Sequence, residues 1–105
     1  MAKMENDRLV LHEILCEALG SRNVYFQPPE SVKLKYPAIV YNRNRIENTS
    51  ADNIVYKQAV SYSITVIDRD PDSEIVERVS MIPHIMYDRG YVSDNLNHDV
   101  FRLFV

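Results

Sequence analysis

Tyr56-Lys57-Gln58-Ala59-Val60-Ser61-Tyr62-Ser63-Ile64-Thr65-Val66-Ile67-Asp68 is the stretch on which the fold turns. Val60, Tyr62, Ile64 and Val66 alternate with Ser61, Ser63 and Thr65. That two-residue period is the mark of a strand with one face on a core. The opposite row is small and polar, so its face is either wet or closely approached by another chain.

Working back from this strand, Asn44 to Asn53 is polar and reads as a long loop, with only Ile46 and Ala51 apolar. Long loops often carry binding. Before it, Ala38 to Arg43 reads as a strand opened by Pro37, a position where no ladder donor is lost. Glu30 to Tyr36 reads as a loop, and Val24-Tyr25-Phe26 as a short strand stopped by Pro28-Pro29. The first element is a helix over Asp7 to Leu19. Val10, Leu11, Ile14, Leu15 and Ala18 carry the spacing of one buried face. Asn6 or Asp7 can cap it, Gly20 ends it, and His12, Glu13 and Glu17 fall on or near the wet side.

Working forward, Asp70-Pro71-Asp72 reads as a helix start, with Asp70 at the N-cap and Pro71 at the first helical position. Ile75, Val76, Val79 and Ile82 share one face, and Pro83 follows. The chain closes with a hairpin. Tyr91 to Asp94 pairs with His98 to Val105 across a turn near Asn95-Leu96-Asn97, since asparagine tolerates left-handed backbone. Phe101, Leu103 and Val105 share one face of the last strand; Val100, Arg102 and Phe104 share the other. Both faces are thus largely apolar, more than a lone domain leaves wet. The expected fold is α+β, a single domain over 1–105. A mostly antiparallel sheet of about five strands carries two helices packed on one face, in the order helix-strand-strand-strand-helix-strand-strand.

The 105 residues are 46% hydrophobic with a net charge of −3. A chain of this size buries roughly two-thirds of its unfolded surface and needs no disulfide or metal to fold. Without a basic run, bare nucleic acid is not its expected target. The single cysteine, Cys16, sits on the apolar helix and suits a buried core position and a reducing compartment. No signal peptide is visible at the start.

Chemistry is sparse. His12, His84 and His98 lie on three different elements. His12 and Cys16 are four apart, but two ligands do not close a zinc site. Only Gly20 and Gly90 are glycines, too few for a phosphate-cradling loop. Asp68, Asp70, Asp72 and Glu74 cluster, yet lack the spaced glycine of a calcium loop, and helix capping accounts for Asp70 and Asp72. No cofactor, metal or catalytic set is expected, so the chain reads as a non-enzyme. Tyrosine and arginine are the residues that most often anchor interfaces. The candidate contact residues are Arg43, Arg45 and Ile46 beside the polar stretch, with Tyr91, Val100, Arg102 and Phe104 on the last hairpin.

Several segments together resemble a known family. They are the early amphipathic helix, Tyr36-Pro37-Ala38-Ile39-Val40-Tyr41 after a Pro-Pro loop, the long strand ending in Asp68-Arg69-Asp70-Pro71-Asp72, and Tyr91-Val92-Ser93-Asp94-Asn95-Leu96-Asn97-His98-Asp99-Val100-Phe101. This pattern resembles the small tail-completion proteins, or tail terminators, of long-tailed bacteriophages. The resemblance implies a sheet backed by helices and a ring, usually of six subunits, that caps the tail tube and meets the head connector. It implies a place in the virion at the head–tail junction, reached from the host cytoplasm, with DNA passing through the ring. The family supplies no catalytic residues to transfer. A head-completion protein on the portal side and a small phage-encoded inhibitor of a host protein are the alternatives. A ring needs two unlike surfaces per subunit. The terminal strand and the polar stretch 44–53 are the candidates.

Overall fold

A computed structural model describes residues 3–51 and 54–104. The elements run α1 (Lys3–Leu19), β1 (Val24–Phe26), β2 (Ala38–Ala51), β3 (Ile54–Asp68), α2 (Glu74–Ser80), β4 (Ile85–Ser93) and β5 (Leu96–Phe104). The fold is α+β, in the expected order. The five strands form one sheet in the order β1-β2-β3-β5-β4. β1 runs parallel to β2, and every other neighbouring pair is antiparallel.

The core lies between the two helices and one face of this sheet. Val60, Tyr62, Ile64 and Val66 are all buried, as their alternation requires. Ile39 and Tyr41 of β2 and Phe101 and Leu103 of β5 join them, under Leu11, Leu15, Cys16 and Leu19 from α1 and Ile75 and Val79 from α2. On the opposite face, Pro28, Pro29, Val32 and Leu34 border a cleft with Val40, Thr65 and Ile67. The connecting segment 27–37 therefore shields part of a surface that would otherwise be open.

The stripe on α1 is rotated from the expected one. Leu11, Leu15 and Leu19 face inward, while Val10 is 62% exposed and Ile14 is 39% exposed. The helix also begins before Asn6 and Asp7, which are interior residues rather than caps. Two apolar rows compete on this helix, and the row carrying Leu15 and Cys16 takes the core. Gly20 ends the helix as expected, with φ of +83° and its amide on the Cys16 carbonyl.

The second helix starts later than Asp70. Ser73 is the cap, its Oγ accepting from the Ile75 amide. Asp68 and Asp70 instead accept from the amides two residues on, at Asp70 and Asp72. These are side-chain-closed turns, which compete with helix for the same residues. Ile75 and Val79 are buried, with Val76 and Ile82 packed beside them.

The last hairpin turns at Asp94 and Asn95, with φ of 52° and 62°, ahead of the expected turn. Two successive positive φ values give the twist that suits a two-residue hairpin. Asn97 leaves the turn, and its Nδ2 donates to the carbonyls of Asp68 and Arg69, tying β5 to the end of β3.

The largest departure is at Asn44 to Asn53. It is not a loop: β2 runs on through Ala51, which pairs with Ile54. Asp52 and Asn53 lie outside the described residues. β5 pairs with β3 from Ser61 onward and β1 ends opposite Tyr41. Between Ile46↔Val60 and Ala51↔Ile54 the two strands therefore pair only with each other. The result is a two-stranded arm, and the molecule is drawn out to 51 × 25 × 23 Å. Polar composition suggests a loop, but a polar strand can satisfy its backbone by pairing with a neighbour while its side chains, exposed from Asn44 to Ser50, stay wet.

Candidate interaction surfaces

Among the described residues, no group of three or more His, Cys, Asp or Glu gathers where a metal could sit. Cys16 is buried in the core. His12 turns partly inward, with Nδ1 2.8 Å from the Tyr41 hydroxyl. Arg8 Nη1 donates to the same oxygen at 3.5 Å. Burial first, and the neighbouring Arg8 charge second, hold the imidazole below its ordinary pKa of 6.5.

The unfolded chain thus protonates His12 before the folded one does. Stability due to neutral His12 is complete above the unfolded value near 6.5 and is lost as pH falls through the lowered folded value. We expect the melting temperature to drop further between pH 7 and pH 5 in the native chain than in His12→Gln. Parallel pH profiles would sink this.

The interaction candidates fall on three surfaces. The first is the arm and its base. Arg45 pairs with Glu47 at 2.9 Å with both side chains well exposed, a pair worth little in isolation. Ile46 is 44% exposed at the start of the arm. Asn44 is the extra residue between the Arg43↔Tyr62 and Arg45↔Ser61 pairs. Its Nδ2 donates to Ser61 Oγ at 3.5 Å.

The second surface is the outer hairpin. Phe104 and Met86 are 52% and 62% exposed. They line a shallow cleft with Tyr87, Asp88 and Arg102. Arg102 reaches Asp88 at 3.5 Å. Tyr91 stacks on His98, ring centroids 4.7 Å apart and 11° from parallel. Val100 is the exception. It is buried between Arg89 of β4 and Thr65 of β3, so its expected place on an exposed surface is corrected. Neighbouring strands crowd a small side chain in mid-sheet more than they do Phe104 at the sheet's end.

The third surface was not marked by sequence spacing. Arg43 does not stand beside Arg45. It stays in phase with Ile39 and Tyr41 on the helix side, where its guanidinium carbon lies 5.5 Å from the centre of the Phe26 ring, and the bulge at Asn44 turns Arg45 to the other face. Arg8 of α1 lies 4.5 Å from the same centre. Arg43 Nε and the Tyr62 hydroxyl, on cross-strand neighbours, are both shut off from solvent without a hydrogen-bond partner. Arg8 and Phe26 are 18 residues apart in sequence, and only the docking of α1 over the end of β1 brings them together.

At the other end of the sheet, the β3–α2 connection carries Asp70, Asp72 and Glu74, all exposed. The family-model comparison gives no match to this chain, and no curated protein matches it.

Proposed function

We propose that this chain is a structural subunit of a phage tail, of the tail-terminator kind. Copies form a ring that closes the end of the tail tube, stops its growth and meets the head connector. The observation that carries the reading is the arm from Ile46 to Val60, whose strands pair with nothing but each other over six register pairs. A lone two-stranded hairpin is marginal in water. Such an arm makes sense when it lies along another subunit. The exposed Phe104 and Met86 cleft on the outer hairpin supplies a second, different surface, as a head-to-tail ring demands.

The test is capping of purified tail-tube protein, followed by electron microscopy. The native chain should appear as rings at tube ends and fix tube length. Replacing 47–59 by a tight Asn-Gly turn between Ile46 and Val60 should keep a cooperative melt within a few degrees, because Val60 keeps its place in the core. Capping should fall at least about tenfold. Undiminished capping by the armless variant would overturn the role of the arm. Binding to portal protein in place of tube would move the chain to the head side of the junction.

A further inference from the structure

We propose that Arg8 and Arg43 form a receptor for carboxylates of a second copy of this chain, supplied by Asp70, Asp72 and Glu74 of its β3–α2 connection. This deepens the ring reading and rests on it.

The receptor is a built feature. Two guanidinium carbons lie 4.5 and 5.5 Å from the centre of one phenyl ring, so they are at most 10.0 Å apart (4.5 + 5.5). Cation–π contact with Phe26 fixes both. Among the residues whose side chains the structure describes, 6–50 and 59–104, neither guanidinium has a carboxylate within ion-pair distance, whereas Arg22, Arg45, Arg78 and Arg102 each have one. Arg69 and Arg89 also lack such a partner, but both are exposed, and neither lies over a ring in the manner of Arg8 and Arg43. Arg8 and Arg43 are half-buried, where solvent screens like charges less. Arg43 Nε is sealed from water without an acceptor, and the fully buried Tyr62 opposite it has an unpartnered hydroxyl. A carboxylate is the group that accepts from two guanidiniums at once.

The occupant follows from charge and position. The connection presents three carboxylates, and Asp70 offers one oxygen to a backbone amide only. Glu74 is tied to Arg78 only loosely, at 3.6 Å and 86% exposed. Arg43 pairs with Tyr62 at the base of the arm, whereas the connection leaves the far end of β3 after Asp68. Six strand residues separate them, roughly 20 Å at about 3.3 Å each. The two surfaces cannot meet within one subunit. Between copies they give a head-to-tail contact of the kind that closes into rings.

The experiment is sedimentation velocity on the full chain across subunit concentration and salt. Native chain should self-associate, more weakly as salt rises. Arg8→Glu with Arg43→Glu should weaken association about 100-fold, as should Asp72→Arg with Glu74→Arg. The chain carrying all four changes should recover to within about tenfold of native. If the glutamate variant does not melt cooperatively, Arg8→Gln with Arg43→Gln serves, with at least about a tenfold loss expected. Unchanged association in the arginine variants, or no recovery in the four-fold swap, overturns the contact. A native chain that stays monomeric throughout overturns it too, while tube capping still decides the ring. Loss of binding to a short DNA duplex in the arginine variants, with self-association intact, would assign the pair to phosphate and overturn the proposal.

Discussion

Val79→Asp is expected to leave the chain without a cooperative fold at 25 °C. Val79 is fully buried in α2, against the core that α1 and the sheet share. α2 has only seven residues. A helix that short has no stability of its own in water, so its existence depends on the burial of Ile75 and Val79. The substitution removes the valine's burial, worth about 1.5–3 kcal/mol. It also places a carboxylate where no cation can answer it, which costs several kcal/mol whether the group stays charged or takes a proton. The sum is about 5 kcal/mol, close to the whole stability of many domains this size. Thermal melts followed by far-ultraviolet circular dichroism check it. A cooperative melt displaced by less than about 1 kcal/mol of stability would remove α2 from the core.

Phe104→Asp should have the opposite profile. Phe104 is 52% exposed at the end of β5, opposite Ser61 on the sheet face away from the helices. Half of its ring is already in water, and Arg102 stands two residues away on the same face to receive the new carboxylate. The cost to folding should stay below about 1 kcal/mol. Assembly should suffer much more, because a carboxylate then replaces the exposed ring that lines the outer cleft beside Met86. Central aromatic anchors of an interface are worth about 2 kcal/mol or more each. Capping of tube ends should fall at least about 30-fold, with the melting curve nearly unchanged. If this variant melts as poorly as Val79→Asp, the exposed placement of Phe104 is wrong.

Strict alternation from Val60 to Val66 made the central strand readable, because a period of two has a single interpretation when every second residue is large and apolar. The burial of Phe101 and Leu103 follows from the same reasoning. Three features resisted it. On α1, Val10 and Ile14 are as apolar as Leu11 and Leu15, so spacing alone cannot choose which row goes inside. At 44–50, polar residues hid a strand, because a strand exposed on both faces needs no hydrophobic period. At Arg45, a single extra residue in the ladder changed which side of the sheet the side chain meets. The arginine receptor was hidden because Arg8 and Phe26 become neighbours only through tertiary packing. Arg45, Ile46, Tyr91, Arg102 and Phe104 are exposed at the surface, while Val100 is buried.

Asn44 sets where the arm points. Ahead of it, Ile39, Tyr41 and Arg43 of β2 look toward the helices; past it, Ile46 takes that side, opposite Val60. One inserted residue thus resets the phase of the strand and adds local twist. The heading of the arm is encoded by a length, not by the chemistry of any side chain. On the proposed ring reading, substitutions along 46–51 would change how strongly the arm holds a neighbouring subunit. Loss of the one residue at 44 would steer it elsewhere, so divergence in partner choice is expected to travel through single-residue insertions and deletions at this joint.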